Sequence, residues 1–109
     1  MATAGKINRD VRIFARDGFR CRYCGYLGNT YETWRYLTVD HFKPRAKGGD
    51  FRAEENLVTA CMDCNIIKSD GEFATTEEAK AKFESEYLPK ERFDFEKYFA
   101  PMIAASLKD

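Results

Sequence analysis

The sequence contains a single histidine, His41, and this scarcity limits the chemistry available to the chain. A mechanism that needs two histidines, such as the HExxH arrangement of metalloproteases, is excluded. No apolar run approaches the roughly 20 residues that a membrane-spanning helix needs, and residues 1–6 lack the apolar stretch of a signal peptide. We therefore expect a soluble, cytoplasmic protein that does not act in a membrane.

The chain also lacks net charge, because 18 lysines and arginines balance 18 aspartates and glutamates over 109 residues. This balance hides an asymmetry: residues 1–70 carry 12 basic and 9 acidic side chains, whereas residues 71–109 carry 6 and 9. A basic part followed by an acidic part is typical of a nucleic-acid surface on a solvated scaffold, and an ordinary charged surface explains it equally well. A hydrophobic content of 44% supplies the core of one small domain.

The four cysteines occur as two Cys-x-x-Cys pairs, Cys21 with Cys24 and Cys61 with Cys64. Zinc prefers four tetrahedral ligands, and two such pairs supply four thiolates. A site closed by four sulfurs leaves no position for water, so we predict a structural zinc ion whose binding energy stabilises a small core. A thioredoxin-like redox pair and an iron–sulfur cluster are the alternatives, and the flanking residues favour neither.

The pattern between the cysteine pairs predicts strands. One strand-like run lies between Trp34 and His41, and a second covers residues 57–60 after a long loop. Cys61 then opens a predicted helix, so the central order is strand, long loop, strand and helix. A short helix over residues 8–17 is predicted to precede them.

The C-terminal part is predicted to be helical. Thr75 and Glu78 fit a capping box at the start of one helix, which we expect to stop at Pro89 because proline lacks a backbone N–H. Asp94 is a candidate cap for another helix. Three aromatic residues that follow are assigned to structural packing rather than to ligand binding: Phe95, Tyr98 and Phe99.

A set of polar residues lies inside the frame that the cysteines define. Asp40 and His41 are adjacent, and Asn65 directly follows Cys64. Carboxylate and amide oxygens are ligands suited to Mg²⁺ or Mn²⁺, so Asp40 and Asn65 are candidates for a hard-metal site. Because adjacent strand residues point to opposite faces, Asp40 and His41 can serve one target only at a strand end or a bulge.

Residues 9–70 carry a group of short motifs in a fixed order. They are Cys21-x-x-Cys24, Leu37-Thr38-Val39-Asp40-His41, Pro44, Gly48-Gly49, Glu55-Asn56-Leu57-Val58 and Cys61-x-x-Cys64-Asn65-x-x-Lys68. Together they resemble the zinc-containing HNH endonucleases of the four-cysteine type. The resemblance implies an α+β fold with a small zinc-stapled ββα-metal core, or His-Me finger, and flanking helices. From the length and the patterns above, we expect a single domain over residues 1–109, with an N-terminal helix in 1–20, the core in 21–70 and a helical extension in 71–109.

The same resemblance implies a role for each polar residue. His41 resembles the general base of the reaction, and Asn56 resembles the catalytic asparagine that organises the loop and holds the base in place. Asp40 and Asn65 resemble the ligands of one catalytic divalent cation. Because the last motif position is an asparagine rather than a histidine, its harder amide oxygen shifts the expected cation toward Mg²⁺ or Mn²⁺.

The implied activity is that of a metal-dependent DNA endonuclease that leaves 5′-phosphate and 3′-hydroxyl ends. One ββα site cuts one strand at a time, so we expect nicking of duplex DNA by a monomer rather than a dimer. Basic side chains are the candidates for contact with the DNA backbone: Arg22, Lys43, Arg45, Lys47 and Lys68. Three arginines on one face of the first predicted helix have two equal explanations, phosphate contact and a solvated face: Arg9, Arg12 and Arg16.

Two other classes of protein stay open at the level of sequence. A non-catalytic zinc-finger module would hold nucleic acid or a protein on the same fold, and a redox protein would use the cysteine pairs as reversible thiols. A binding module does not require the coincidence of Asp40 and His41 with the two asparagines. A redox protein requires thiols that stay reactive in the metal-loaded chain. We therefore predict the endonuclease.

Overall fold

The computed structural model describes residues 8–108. Its helices and strands follow in this order: α1 (Arg9–Arg16), α2 (Tyr31–Trp34), β1 (Leu37–His41), β2 (Leu57–Cys61), α3 (Met62–Lys68), α4 (Thr76–Lys82), α5 (Leu88–Asp94) and α6 (Ala100–Ser106). The loop between the strands contains two 3-10 turns, Arg45–Lys47 and Glu54–Asn56. The predicted order of strand, long loop, strand and helix is confirmed by β1, β2 and α3.

Helix α1 begins and ends where the sequence predicts. Asn8 caps its N-terminus by accepting a hydrogen bond from the Val11 amide at 3.1 Å. After the helix, Gly18 adopts a left-handed conformation with φ of +68°, which glycine tolerates without steric cost. Ile13 and Phe14 are buried and lie on the side of α1 that packs against the sheet.

Strands β1 and β2 form one antiparallel pair with a regular register, in which His41 lies opposite Leu57. Side chains alternate between the two faces of this pair. The face that includes His41 lies toward α1, because Thr59 on that face donates its hydroxyl to the Ile13 carbonyl at 3.3 Å. The other face includes Asp40 and lies toward α3. A two-stranded sheet between helices, followed by a helical extension, confirms the predicted α+β class.

The main core lies on the α3 side of the sheet and includes buried cysteines. Tyr23 and Phe83 are fully buried there, and their rings stack with centroids 4.9 Å apart. Phe83 follows α4 directly, and Ala79 within α4 is also buried against this core. Burying a phenylalanine side chain stabilises a fold by about 1.5–3 kcal/mol, so Phe83 anchors the extension on the core.

The helical extension does not stop at Pro89, and that prediction is wrong. π-helical turns at Phe83–Tyr87 and Phe95–Phe99 join α4, α5 and α6 into one continuous run. Pro89 and Pro101 are each the second residue of the helix that follows such a turn. A proline is tolerated in a first helical turn, and the wider π turn before it accommodates the missing N–H. Asp94 lies inside the run, where it pairs with a lysine of α5 and caps no helix.

The three aromatic residues of the extension that were predicted to pack are exposed. Phe95 is 45% exposed, and Tyr98 and Phe99 are each 54% exposed. Phe95 and Phe99 face α3 across open cavities that Asp63 and Ile67 also line, so they are only partly covered. In the part of the chain that the structure describes, no helix is both long enough and apolar enough to cross a lipid bilayer.

Candidate zinc centre and active site

The four cysteines meet at one point. Their sulfur atoms all lie within 4.8 Å of one another, and Cys24 Sγ is 3.8 Å from Cys61 Sγ. A Zn–S bond of about 2.3 Å places the sulfurs of a tetrahedral site about 3.8 Å apart. Each Cys-x-x-Cys turn, or knuckle, also donates a backbone N–H to one of its own sulfurs. The Tyr23 amide donates to Cys21 Sγ and the Cys64 amide donates to Cys61 Sγ, each at 3.4 Å. The cluster therefore has the ligands and the geometry of a structural zinc site.

The pKa values of the four cysteine thiols also favour a zinc ion. Hydrogen bonds from Cys24, Cys61 and Cys64 lower the pKa of the Cys21 thiol. The hydrogen bond to Cys21 is the main cause that raises the pKa of Cys61 and Cys64 above that of an ordinary cysteine. All four thiols cannot ionise together in this small space without a cation, and a zinc ion supplies that charge.

The first knuckle connects directly to the predicted active site through Tyr23. This residue lies between the two cysteines of the knuckle, and its hydroxyl donates to Asp40 Oδ2 at 2.5 Å. Burial is the main cause that raises the pKa of the Asp40 carboxyl, and the Tyr23 hydroxyl and the Lys68 ammonium both oppose that rise. Burial raises the pKa of Tyr23 as well, so the phenol stays protonated and serves as a donor.

The Lys68 side chain is fully buried, which does not agree with the predicted contact to DNA. Its Nζ lies 3.2 Å from Asp40 Oδ2 and donates to the His41 carbonyl at 3.3 Å. Helix α3 places Lys68 over β1, so the ammonium neutralises a buried carboxylate instead of reaching a phosphate. The sequence shows a lysine on a helix and does not show which side of that helix is covered.

Asp40 and Asn65 lie on facing surfaces of β1 and α3. Asn65 Nδ2 donates to Thr38 Oγ1 at 2.9 Å, and Thr38 is two residues before Asp40 on the same face of β1. In the described residues, no buried side-chain nitrogen or oxygen lacks a hydrogen-bond partner. Asp40 Oδ1 and Asn65 Oδ1 accept no hydrogen bond from a described residue, although the Asp40 side chain is only 6% exposed. Two hard oxygens without a described donor are the kind of ligand that fits a divalent cation.

His41 is the last residue of β1, and its side chain lies on the opposite face from Asp40. Of the two arrangements that would let Asp40 and His41 serve one target, the structure has the strand end. It has no bulge at His41, because the pairing with Leu57 is regular. The imidazole is partly exposed, and no described residue forms a hydrogen bond with it. It is free to meet a water molecule or a substrate.

Asn56 ties the loop after β1 to the turn before β2. Its Oδ1 accepts from the Lys43 amide at 2.9 Å, and its Nδ2 donates to the Lys43 and Asp50 carbonyls at 3.1 and 3.0 Å. The Asn56 carbonyl also accepts from the Phe42 amide at 2.8 Å. The residues that directly follow His41 are thus held by one asparagine side chain and its backbone.

The other basic candidates fall into two groups. Lys43, Arg45 and Lys47 are exposed on the loop between the strands, where the Arg45 guanidinium lies 4.1 Å from the centre of the Phe51 ring. Arg22 instead donates to Asp17 Oδ1 at 3.0 Å. The structure therefore gathers three of the five predicted DNA contacts on one exposed loop.

Three arginines on one face of α1 contact the loop between β1 and β2. Arg9 donates to the Phe51 carbonyl at 3.5 Å, and Arg16 donates to the Glu54 carbonyl at 3.0 Å. Arg12 forms an ion pair with the Glu54 carboxylate at 3.5 Å. The sequence suggested either phosphate contact or a solvated face for these arginines. In the structure they instead bind the loop between β1 and β2, so α1 supports that loop.

Two residues of the site were not found from the sequence, Tyr23 and Thr38. Tyr23 stands between two zinc ligands, and its hydroxyl meets Asp40 only because the knuckle folds onto β1. Thr38 could have been found from strand alternation, because it lies two residues before Asp40 and shares its face. The packing of α3 on β1, which brings Asn65 to Thr38, is a tertiary contact that local sequence does not show.

The fold and the two clusters define a class, a ββα finger whose strands and helix are held together by a four-cysteine zinc site. The sequence model of the family described as HNH endonuclease matches residues 21–71, the segment that contains both cysteine pairs. This segment matches the HNH endonuclease family, and the predicted resemblance is confirmed.

The chain is also similar to the CRISPR-associated endonuclease Cas9 of Corynebacterium diphtheriae. The two are 37% identical over 59 residues, which make up 54% of this chain and 5% of that protein. The chain therefore matches about a twentieth of the length of this relative. Both the family and the relative are endonucleases by description, which supports a nuclease.

Proposed function

We propose that this chain is a divalent-cation-dependent DNA endonuclease that cuts one strand of a duplex at a time. The observation that carries the proposal is a pair of oxygens that accept no hydrogen bond from a described residue, Asp40 Oδ1 and Asn65 Oδ1, beside a strand that ends in the partly exposed His41. A binding module needs no such combination. The match of the central segment to the HNH endonuclease family supports the same chemistry.

Asp40 and Asn65 would hold the catalytic cation, which we propose to be Mg²⁺ or Mn²⁺. Both ligand atoms are hard oxygens, as these cations prefer. Tyr23 and Lys68 occupy Oδ2 of Asp40, which leaves Oδ1 for the cation. When bound, such a cation stabilises the negative charge that develops on the phosphate and on the leaving oxygen.

His41 acts as the general base in this proposal. Its neutral imidazole takes a proton from water, and the water oxygen forms a bond to the scissile phosphorus. The bond from phosphorus to the 3′ oxygen breaks, and that oxygen takes a proton from solvent. The products are a 5′-phosphate and a 3′-hydroxyl. Asn56 keeps the backbone after His41 in place and so acts as a positioning residue.

The exposed loop between the strands is the proposed DNA-binding surface. Lys43, Arg45 and Lys47 project from it without a buried acidic partner among the described residues, so they are available to phosphates. We further propose that the N-terminal helix, the core and the extension act as one domain and as a monomer. The arginines of α1 and Phe83 of the extension support the single domain, because both contact the core.

Relaxation of a supercoiled plasmid tests the proposal, with zinc-loaded protein, added Mg²⁺ or Mn²⁺, and the His41→Ala variant as control. Open-circle DNA is expected to accumulate before linear DNA with the wild type. The variant is expected to retain its zinc and its circular dichroism spectrum while its rate falls by about 100-fold or more. Equal rates for the two proteins would refute the role of His41.

The same assay decides between a nuclease and the non-catalytic zinc-finger module. A wild-type chain that binds DNA and cuts it with neither cation would be a binding module. Linear DNA that forms without an open-circle intermediate would contradict the nicking of single strands.

A further inference from the structure

A chain of three polar groups connects the backbone of β2 to the side chain of Asn65. Thr38 Oγ1 donates to the Ala60 carbonyl at 2.8 Å, and Asn65 Nδ2 donates to Thr38 Oγ1 at 2.9 Å. Thr38 lies opposite Ala60 in the sheet, so the first bond crosses directly between the strands. The second bond joins the sheet to α3.

The direction of these bonds follows from the number of hydrogens that each group carries. A threonine hydroxyl has one hydrogen, and a carbonyl oxygen can only accept. The hydrogen of Thr38 must therefore point to Ala60, which leaves its lone pairs for Asn65. Only the NH₂ group of the Asn65 amide can donate to them, so the NH₂ group faces Thr38 and Oδ1 faces away.

We propose that Thr38 is a positioning residue that fixes the orientation of the Asn65 amide and so presents Oδ1 to the catalytic cation. The inference rests on the proposed function, in which Asn65 is a ligand. An asparagine amide that is free to rotate offers its NH₂ group to the cation site in part of its conformations, and an NH₂ group cannot bind a cation. Thr38 removes those conformations.

The two proposed cation ligands lie at the same interface between β1 and α3. Thr38 and Asp40 share a face of β1, and Asn65 and Lys68 are one turn apart on α3. The two helix residues contact the two strand residues in the same order, Asn65 at Thr38 and Lys68 at Asp40. Lys68 thus pairs with Oδ2 of Asp40, and the Thr38 hydroxyl accepts from Nδ2 of Asn65. Oδ1 of each ligand has no donor among the described residues.

The test compares Thr38→Val with Thr38→Ser in the zinc-loaded full chain. Valine keeps the shape of threonine without the hydroxyl, whereas serine keeps the hydroxyl. The Mn²⁺ dissociation constant, measured by electron paramagnetic resonance of free Mn²⁺, is expected to rise about 10-fold in the valine variant and to stay within about twofold in the serine variant, as for outer groups that orient metal ligands. Thr38→Ala replaces the valine variant if the latter does not fold with zinc.

A double-mutant cycle with Asn65→Ala separates positioning from a general loss of structure. In the Asn65→Ala background, Thr38→Val is expected to leave the Mn²⁺ dissociation constant unchanged, because the amide that it orients is absent. An equal 10-fold loss in both backgrounds would overturn the proposal, since Thr38 would then act without Asn65.

A metal-free readout completes the test. The side-chain NH₂ resonance of Asn65, identified by its loss in Asn65→Ala, is expected to shift in Thr38→Val and to return near its wild-type position in Thr38→Ser. Unchanged Mn²⁺ affinity and an unchanged NH₂ resonance in Thr38→Val would overturn this inference alone. A wild-type chain that binds no Mn²⁺ would remove the proposed cation site, and the inference would fall with it.

Discussion

Replacing Lys68 by methionine separates a structural role from a role in DNA contact. The Lys68 side chain is 0% exposed and lies 3.2 Å from Asp40 Oδ2. Methionine keeps most of the side-chain volume but removes the charge, so Asp40 is left as a buried carboxylate without a cation. Removing one partner of a buried ion pair costs about 3–5 kcal/mol. We expect a loss near 3 kcal/mol in the free energy of unfolding, because Tyr23 still donates to Asp40.

Urea unfolding of the zinc-loaded chain, followed by circular dichroism, measures this loss. Lys80→Met is the matched control, because Lys80 is exposed on α4 and its replacement is expected to change stability by less than about 0.5 kcal/mol. Adding Asp40→Asn to Lys68→Met removes the second charge as well. The double variant is expected to be more stable than Lys68→Met, since no unpaired charge stays buried.

A different result is expected if Lys68 contacts a DNA phosphate. In that case Lys68→Met would unfold at the wild-type urea concentration, and its affinity for DNA would fall. The slope of the logarithm of affinity against the logarithm of salt concentration would also decrease by about one. This outcome would refute the structural role and restore the role that the sequence predicts.

Two further predictions concern the zinc site and the extension. Complete removal of zinc by a chelator is expected to unfold the core, because Cys21, Cys61 and Cys64 are part of it, and an unchanged thermal midpoint in the zinc-free chain would contradict this. The hydrogen bond with the Asp63 carboxyl raises the pKa of Glu91 to about 7, so the folded chain binds a proton that the unfolded chain releases at lower pH. The stability that this carboxyl pair contributes is therefore expected to be lost as pH rises through 7. The thermal midpoint of the wild type should fall relative to that of Glu91→Gln between pH 5 and pH 8, and parallel midpoints in both proteins would refute the carboxyl pair.

The parts of the fold that were predictable are those that local chemistry determines. Asn8 caps α1 because its side chain can reach the amide of a residue three positions later, and Gly18 follows where a left-handed residue is needed. The two Cys-x-x-Cys pairs place four sulfurs within reach of one ion once the strands pair. The end of β1 at His41 also follows from the run of strand-forming residues before it.

The parts that were not predictable depend on tertiary contacts. A proline ends a regular α-helix, but a π turn at Phe83–Tyr87 shifts the hydrogen-bond pattern before Pro89, and no local signal marks that turn. Phe83 and Phe99 look alike in sequence, yet one is fully buried and the other is 54% exposed. Likewise, Lys68 and Lys43 are both lysines near the motif, and only the packing of α3 on β1 buries the first.

The zinc centre and the candidate active site form one bonded unit. The Tyr23 amide donates to Cys21 Sγ at 3.4 Å, and the hydroxyl of the same residue donates to Asp40. Stacking on Phe83 fixes the ring between these two bonds. The position of the carboxylate that we assign to the cation therefore depends on the shape of the Cys21–Cys24 turn, which a zinc ion bound to the four cysteines would maintain. The zinc ion can be structural in its coordination and still determine the geometry of the reaction, because a single tyrosine spans the distance between the two sites.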